Sequence, residues 1–322
     1  MKIGIVGSGF MGRTHIEGYK NCGISEFCVC DTNLENAKKL ADQYGGKAYA
    51  DFDEMLNCEN LDAVSICVPT PFHNPIAIKA LEKGVAVLCE KPFASSSQAA
   101  EEIVNKSKET GTPLMVAHVL RFMKPYYFLK KIVEEKRFGE LLCIDMKRHS
   151  TAPLWGAGNW LMDAKKSGGA IVDMHTHETD IAISLFGKPK YVTTVGSYMQ
   201  CSSVYGYDNV GVSIVTSWRK PKLYPFTSGY DANFENASVI FDGEKVVIYT
   251  DDEVITDALE KEVCPEYING ADPYENEIRY FLNGIKTGDF SYCNPDDSLL
   301  TIKTIYAGLE SMESKQPVNV DF

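Results

Sequence analysis

Three glycines near the start of the chain have the spacing of a phosphate-binding loop. Gly7, Gly9 and Gly12 form a GxGxxG pattern. In such a loop the first glycine permits a tight turn, the second lets a pyrophosphate approach the backbone, and the third lets the following helix pack closely. The free N–H groups at the start of that helix attract phosphate. The pattern therefore indicates a dinucleotide site, and Phe10 and Met11 within it are also candidate cofactor contacts.

An acidic residue follows the glycine loop at the distance expected of a ribose ligand. Asp31 lies 19 residues after Gly12, at the end of the second predicted strand. A carboxylate in this place accepts hydrogen bonds from the ribose hydroxyls of adenosine. A 2′-phosphate would meet like charge there, and the next residue, Thr32, is not an arginine that could bind it. The sequence therefore predicts NAD rather than NADP. The alternative interpretation of the glycines and Asp31 together is a helix cap beside an ordinary glycine turn.

A second group of candidate cofactor ligands follows later strands. Thr70 and His73 come after the predicted strand that ends at Val68. The carboxyl end of such a strand should face the cofactor crevice. His73 either touches the nicotinamide side of the cofactor or caps the next helix, and the sequence leaves both roles open. Glu90 and Lys91 are also counted among the candidate cofactor ligands.

The elements that must position these groups fill the first 120 residues. Short apolar runs alternate with helical patterns, which is typical of a doubly wound parallel sheet. The predicted strands are Lys2–Val6, Glu26–Cys30, Ala63–Val68, Val85–Cys89 and Leu114–Ala117. The predicted helices are Met11–Asn21, Asn33–Tyr44, Asn74–Lys83 and Ser96–Lys108. Residues 1–120 are therefore predicted to form a Rossmann domain.

Beyond residue 120 the pattern changes to that of an α+β domain, predicted to span residues 121–322. Its predicted strands are Leu141–His149, Tyr191–Met199, Val210–Ser217, Ala237–Phe241 and Lys245–Tyr249. Its predicted helices are Pro125–Lys136, Tyr274–Lys286 and Asp296–Ser314. Asp242-Gly243 is a hairpin signal between the last two strands. Because few helices separate the strands, we expect one open, mostly antiparallel sheet.

Composition and charge argue against several classes of protein. The net charge is −12 and no basic stripe stands out, whereas a nucleic-acid binder needs clustered lysine and arginine. No apolar run approaches the roughly 18 residues of a membrane-spanning helix, and the first one is too short for a signal peptide. The ten cysteines include no CxxC pair. We therefore expect a cytoplasmic protein with reduced cysteines, no membrane partner and no metal site.

Four further motifs are distinctive as a set. They are Glu90-Lys91-Pro92, Asn159-Trp160, Ser167-Gly168-Gly169, and the spaced residues Asp173, His177 and Asp180. With the glycine loop, they make essentially the whole chain resemble the Gfo/Idh/MocA oxidoreductases, which include inositol dehydrogenase and glucose–fructose oxidoreductase. The resemblance implies a Rossmann domain followed by a domain with a large open sheet. The outer face of that sheet often forms the oligomer contact in the family, so a homodimer or homotetramer is expected.

The resemblance also implies the catalytic residues. The catalytic lysine of the family falls on Lys91, and its DxxxHxxD motif falls on Asp173, His177 and Asp180. Oxidation of an alcohol needs a base near the hydroxyl, and histidine has a suitable pKa. His177 is the preferred base. If the segment is helical, Asp173 shares one face with His177 and could hold the imidazole or contact a substrate hydroxyl. Lys91 would stabilise the developing alkoxide or itself accept the proton, and the sequence does not choose between Lys91 and His177.

The resemblance has two further implications. The substrate is expected to contact Lys91, Asp173 and His177. The peptide before Pro92 is often cis in the family.

Two departures from the family pattern bear on the substrate. The family commonly has glycine where this chain has His175, and a third consecutive glycine where it has Ala170. His175 is expected to narrow or polarise the pocket, so the substrate need not be inositol; the alternative for His175 is a surface or packing histidine. Trp155, Trp160 and Arg121 are further pocket candidates, since aromatic faces pack on sugar rings and arginine binds hydroxyls or carboxylates. Plain packing or ion pairing is the alternative for each.

The expected activity is hydride transfer between NAD and a secondary hydroxyl or ketone of a sugar, a sugar derivative or a cyclic polyol. One alternative is a glycoside hydrolase or lyase that keeps NAD tightly bound and oxidises the sugar transiently. The same motifs would serve both reactions, so the sequence does not separate them. A non-catalytic NAD sensor is a third possibility, which the presence of both Lys91 and His177 disfavours.

Overall fold

The computed structural model describes residues 1–154 and 157–320. Its strands are β1 (Lys2–Val6), β2 (Glu26–Cys30), β3 (Lys47–Tyr49), β4 (Ala63–Ile66), β5 (Ala86–Glu90), β6 (Leu114–Ala117), β7 (Leu141–His149), β8 (Tyr191–Ser197), β9 (Gln200–Gly206), β10 (Gly211–Ser217), β11 (Thr227–Phe234), β12 (Ser238–Phe241), β13 (Val246–Tyr249), β14 (Val254–Ile255) and β15 (Val318–Asn319). Its helices are α1 (Phe10–Asn21), α2 (Leu34–Tyr44), α3 (Phe52–Cys58), α4 (His73–Glu82), α5 (Ser97–Thr110), α6 (Lys124–Glu134), α7 (Ala164–Ser167), α8 (Ala170–Asp173), α9 (Thr176–Phe186), α10 (Ala258–Lys261), α11 (Pro273–Thr287) and α12 (Pro295–Ser314). None of these described helices has the length and apolar character that a membrane crossing requires.

The first compact unit is a doubly wound Rossmann domain. It comprises residues 1–122 together with residues 265–299. Six of the described strands form its parallel sheet in the order β3-β2-β1-β4-β5-β6. The strand order reverses between β1 and β4, so the loops that follow these two strands lie side by side at the carboxyl edge. Ligands of doubly wound sheets bind at this kind of edge. The predicted fold of the first domain is confirmed.

The central strands of this sheet are apolar because helices cover both of its faces. Every residue of β4 and β5 is buried. Strands of this kind need nearly continuous apolar runs. Ser65 is the exception in β4, and it has no exposed surface. A buried hydroxyl needs a hydrogen-bond partner inside the protein, and the partners of Ser65 are important for the site described below.

Residues 265–299 join the first unit through α11, which packs against α1. The two helices approach closely, because a Cβ on Gly18 would lie 2.5 Å from Cδ1 of Ile278. The side-chain amide of Asn276 also donates to the carbonyl oxygen of Phe122 at 3.2 Å. The boundary expected from the sequence, at residue 120, would place residues 265–299 in the second domain. The helical pattern of α11 shows an apolar face but does not show which sheet or helix that face covers.

The second compact unit contains residues 123–264 and the C-terminal segment from Leu300. Nine of the described strands form an open sheet in the order β14-β13-β12-β11-β7-β10-β9-β8-β15. Neighbouring strands are antiparallel except β7 and β10, which are parallel. Helices α8 and α9 contact β7, β9 and β10, and the alternating burial along β7 fits a sheet covered on one face. The predicted open, mostly antiparallel sheet is confirmed.

Candidate cofactor and catalytic sites

The loop between β1 and α1 requires glycine at two of its three glycine positions. Gly7 has a φ of +103°, and a Cβ there would lie 2.6 Å from the carbonyl oxygen of Cys67. A Cβ on Gly12 would lie 1.9 Å from the carbonyl oxygen of Gly7. Gly9 has open space where a Cβ would be, and no side chain caps the start of α1. The start of α1, from Gly9 onward, is therefore open to a pyrophosphate.

The carboxylate of Asp31 is fixed beside this loop by three donors. The backbone N–H and the hydroxyl of Ser8 donate to Oδ2 at 3.0 and 2.6 Å, and the N–H of Asn33 donates to Oδ1 at 2.9 Å. A carboxylate accepts about four hydrogen bonds, so capacity remains for a ribose hydroxyl. Phe10, which is 75% exposed, and Met11 occupy the first turn of α1. The glycine loop and Asp31 are thus brought together.

Thr70 and His73 follow β4 and are both buried. Nε2 of His73 lies 2.8 Å from the carbonyl oxygen of Val68, and Nδ1 lies 3.3 Å from that of Phe93. Burial lowers the pKa of His73, and a neutral ring donates to only one of the two carbonyls. The ring therefore connects the loops after β4 and β5. Although His73 is the first residue of α4, its side chain does not cap that helix.

Glu90 and Lys91 lie at the end of β5, and the Lys91–Pro92 peptide bond is cis. Glu90 is buried, with Oε1 2.9 Å from Nε2 of His15, and Oε2 accepts the backbone N–H of Lys91 at 3.1 Å. Burial acts to raise the pKa of Glu90. The hydrogen bond and charge of His15, with the charge and backbone N–H of Lys91, outweigh burial and lower this pKa. Glu90, a predicted cofactor ligand, is held inside the unit as a partner of His15 and the Lys91 backbone.

His15 and Ser65, two residues outside the predicted site, share a buried hydrogen bond. Nδ1 of His15 lies 3.0 Å from Oγ of Ser65, and the hydroxyl of Tyr19 lies 2.9 Å from the same oxygen. Two signals in the sequence point to such a pair. His15 is a polar residue on the apolar face of α1, and Ser65 interrupts an apolar strand. Buried polar groups in two neighbouring elements need partners, which they provide for each other.

In the second unit, residues 173–180 carry the histidine motif: Asp173 ends α8 and His177 lies in the first turn of α9, so the two do not share one continuous helix. Gly168 and Gly169, with φ of +72° and +70°, precede α8. A Cβ on Gly169 would lie 2.3 Å from the carbonyl oxygen of Tyr198, so the chain passes closely along the sheet. Within 173–180, Asp173 and His177 are half-buried and the other six residues are buried. The two predicted catalytic side chains are therefore the accessible ones in this segment.

Buried side chains hold this segment against the rest of the second unit. Nε of Arg148, on β7, donates to Glu178 at 2.9 and 3.1 Å, and Nη2 lies 2.8 Å from the same carboxylate. Asp180 accepts a hydrogen bond from Thr301 of α12 at 3.4 Å. Asp180, the last residue of the motif, is buried and contacts its own unit. The start of α9 is thus fixed to a strand and to a helix.

His175 lies inside the second unit and is 1% exposed. Its Nδ1 is 2.8 Å from Oγ1 of Thr216 on β10, and the Sγ of Cys201 is 3.8 Å away. Burial lowers the pKa of His175 to about 3, so the ring is neutral near neutral pH. Because the side chain contacts the sheet, His175 is not among the substrate contacts proposed below.

The remaining predicted pocket residues have structural contacts or lie outside the described residues. Nη1 of Arg121 donates to the carbonyl oxygen of Tyr292 at 2.9 Å and pairs with Asp297 at 3.1 Å. Arg121 is buried, so it has the ion-pairing role that was the alternative to substrate binding. Trp160 is half-buried and packs on a cluster formed by Leu161, Ala170, Met174 and Trp218. Trp155 lies outside the described residues.

Comparisons with known proteins decide the family. Residues 1–118 match the Gfo/Idh/MocA oxidoreductase family profile, described as an NAD-binding Rossmann fold. Residues 126–235 match the Gfo/Idh/MocA C-terminal domain. The chain belongs to the Gfo/Idh/MocA oxidoreductase family. Its first unit is accordingly an NAD-binding Rossmann domain, and the resemblance carried by the sequence motifs is confirmed.

Individual relatives extend this similarity over the chain. An inositol 2-dehydrogenase of Rhizobium meliloti is 25% identical over 337 aligned residues, covering 99% of each protein. A Streptococcus pneumoniae protein described as an uncharacterized oxidoreductase is 30% identical over 199 residues, covering 61% of this chain and 53% of that protein. That alignment therefore spans about half the length of the pneumococcal protein. The crystal structure of an NAD binding oxidoreductase from Klebsiella pneumoniae shares the fold, with a TM-score of 0.87, 22% identity, and coverage of 100% of this chain and 99% of that one.

Proposed function

We propose that this protein is an NAD-dependent dehydrogenase acting on a secondary hydroxyl or ketone of a sugar, a sugar derivative or a cyclic polyol. The observation that carries the proposal is the accessible glycine loop with the Asp31 carboxylate fixed beside it by Ser8. The substrate class is supported by the full-length similarity to an inositol 2-dehydrogenase. The exact substrate depends on the shape of the pocket, which a shared fold does not fix.

The preference for NAD over NADP rests on the charge of Asp31. Its carboxylate can accept a ribose hydroxyl, whereas a 2′-phosphate would be repelled by it. Replacing Asp31 by Asn removes this charge and keeps the shape. We expect the NAD-to-NADP ratio of kcat/KM to fall by about 10-fold or more, which corresponds to about 1.4 kcal/mol. Ser8→Ala is the matched control, because it removes one donor to Asp31 and keeps the charge. An unchanged ratio in Asp31→Asn would contradict this part of the proposal.

The proposed chemistry assigns one task to each side chain. NAD, when bound, supplies the hydride acceptor. His177 takes the proton of the hydroxyl, since an imidazole exchanges protons near neutral pH. Asp173, four residues earlier, orients that imidazole or accepts a second hydroxyl of the substrate. The ammonium group of Lys91 stabilises the alkoxide that develops as the proton leaves. If Lys91 is instead the proton acceptor, His177→Asn retains the pH profile of kcat and Lys91→Met abolishes turnover.

The first experiment offers NAD and a panel of inositols, sugars and sugar acids to the purified protein and follows NADH absorbance. We expect Lys91→Met and His177→Asn each to lower kcat by about 100-fold or more. Lys83→Met is the matched control, because Lys83 is an exposed lysine close in sequence. NADH formation that is lost in both variants and kept in the control supports the dehydrogenase.

A different result would favour the redox-assisted hydrolase or lyase. In that case NAD stays bound through purification, no NADH accumulates with any polyol or sugar, and a glycosidic bond is cleaved. The same Lys91→Met and Lys83→Met pair then tests cleavage, and the dehydrogenase proposal is withdrawn.

The outer face of the second sheet is proposed as the contact in a homodimer or homotetramer. Val195 of β8 and Val204 of β9 are 64% and 52% exposed, although both lie in sheet strands. Apolar side chains gathered on an open sheet face favour burial against another chain. Val204→Lys should lower the mass measured by light scattering, while the exposed-loop variant Val263→Lys should not. An unchanged mass in Val204→Lys would place the contact elsewhere.

A further inference from the structure

A continuous chain of buried hydrogen bonds runs through the first unit to the backbone of Lys91. The hydroxyl of Tyr19 is 2.9 Å from Oγ of Ser65, which is 3.0 Å from Nδ1 of His15. Nε2 of the same ring is 2.9 Å from Oε1 of Glu90. Oε2 of Glu90 accepts the N–H of Lys91 at 3.1 Å. Tyr19, Ser65 and His15 have no exposed surface, and Glu90 is 7% exposed.

The hydrogen bonds in this chain can be given a direction. An ionised carboxylate only accepts hydrogen bonds, so Nε2 of His15 carries a proton and donates to Glu90 whatever the charge of the ring. Burial raises the pKa of Tyr19, so its hydroxyl keeps its proton. Oγ of Ser65 lies within hydrogen-bond distance of both Nδ1 of His15 and the Tyr19 hydroxyl, so each of these buried polar groups has a partner. Fully satisfied buried networks of this kind fix one geometry.

We propose that His15 is a positioning residue for Lys91. The donation from Nε2 fixes the rotation of the Glu90 carboxylate, and the other oxygen of that carboxylate holds the backbone N–H of Lys91. Because α1 begins in the glycine loop, the same ring connects the helix that receives the pyrophosphate to the turn that carries the lysine. The inference rests on the proposed role of Lys91 in hydride transfer. His15 itself contacts Ser65 and Glu90, and acts on the reaction only through Glu90.

Two variants of His15 separate this role from ordinary packing. The amide nitrogen of glutamine can take the place of Nε2, whereas that of asparagine takes the place of Nδ1. His15→Gln therefore keeps the donor to Glu90 and loses the contact with Ser65, and His15→Asn does the reverse. We expect kcat to fall by less than about 3-fold in His15→Gln and by about 10- to 100-fold in His15→Asn, the range that small misplacements of a reacting group produce. The KM for NAD should stay within about 2-fold in both.

Thr112→Val is the matched control for the loss of a buried hydrogen bond. The hydroxyl of Thr112 is buried in the same unit and donates to the carbonyl oxygen of Leu81 at 3.1 Å. This variant should lower the thermal midpoint and leave kcat unchanged. If His15→Gln and His15→Asn lower kcat equally, or if neither lowers it, His15 has only a packing role and the proposal is overturned.

A second measurement does not depend on turnover. Acetic anhydride acylates lysine amines, and mass spectrometry gives the rate at each site, with Lys83 as the internal reference. We expect the rate at Lys91 relative to Lys83 to change several-fold in His15→Asn and to stay at the wild-type value in His15→Gln. If the wild type oxidises no substrate, the proposed function fails while this ratio still tests the positioning role. Glu90→Gln provides the same test should His15→Asn fail to fold, and an unchanged ratio in it overturns the proposal.

Discussion

Two buried glutamates, one in each compact unit, are next in sequence to residues proposed for catalysis, and they are held in different ways. Glu90 precedes Lys91 and is bound by one ring nitrogen of His15 and one backbone N–H. Glu178 follows His177 and has three contacts from the guanidinium of Arg148. A guanidinium keeps its charge at every accessible pH, whereas an imidazole does not. Glu178 is therefore held by a cation that keeps its charge, and Glu90 is held by one ring nitrogen and one backbone N–H.

The largest effect should come from breaking the buried pair of Arg148 and Glu178. Arg148→Met leaves the fully buried Glu178 carboxylate without this cation, and breaking a buried pair in this way costs about 3–5 kcal/mol. Urea denaturation should show this loss in the free energy of unfolding. Arg148→Met combined with Glu178→Leu should recover most of it, since neither charge of the pair remains. The exposed pair of Lys136 with Glu140 is the control, and Lys136→Met should have little measurable effect. Equal effects of Arg148→Met and Lys136→Met would show that Glu178 does not depend on Arg148.

The next effect concerns pH and belongs to the second unit. The pKa of His175 is lowered to about 3 in the folded chain, against about 6.5 in an unfolded one. Between these values the unfolded chain binds the proton, so stability is complete above about pH 6.5 and declines as the pH falls toward about 3. By about pH 5 the protonation of the unfolded chain lowers the free energy of unfolding by about 2 kcal/mol. Unfolding free energies measured from about pH 7 to about pH 5 should fall in the wild type and stay flatter in His175→Leu. Parallel curves would show that His175 is not the group responsible.

Replacing Glu90 by a neutral residue should lower the free energy of unfolding by less than Arg148→Met does. Glu90→Gln keeps the shape of the side chain but has one acceptor oxygen where the carboxylate has two. Either the His15 donor or the backbone N–H of Lys91 then loses its partner, which costs about 1–2 kcal/mol. Chemical denaturation measures this loss. A loss as large as that of Arg148→Met would mean that Glu90 and Glu178 are held equally strongly, which would contradict the expected difference between the two glutamates.

The smallest effect should follow the loss of the hydroxyl beside His175. Thr216→Val removes the group 2.8 Å from Nδ1 and preserves volume. The ring is neutral at neutral pH, so the loss is that of one neutral hydrogen bond, about 1 kcal/mol. Thermal denaturation with and without the substitution is sufficient to detect it. A loss of several kcal/mol would indicate that the ring carries charge.

Local patterns made most of the first unit predictable. β1, β2 and β6 begin and end at the predicted residues, because apolar runs covered by helices on both sides are clear signals. Gly7, Gly12 and Asp31 were predictable as a group because one strand–helix–strand segment contains all of them. Glu90 was not interpretable in the same way, since its partner His15 is 75 residues away in sequence.

The second unit was less predictable because its strands depend on their neighbours. β11 contains Gly229, Asp231 and Asn233, residue types that are depleted in strands. It forms a strand because β7 and β12 pair with it on both sides. Gly229 fits there because a Cβ would lie 2.1 Å from the carbonyl oxygen of Phe241. His175 was predicted in the pocket because its place in the motif was known, while its contact with β10 depends on tertiary packing.

The return of α11 to the first unit has a consequence for how the protein is made. The contact of Gly18 with Ile278 cannot form until the ribosome has synthesised most of the chain. Until then the surface of α1 around Gly18 lacks its cover, even though the parallel sheet is already complete in sequence. Domains usually fold in the order of their synthesis, but here the first unit is finished only after the strands from β7 to β14 have emerged. A nascent chain that ends before residue 265 would therefore expose that apolar surface to chaperones.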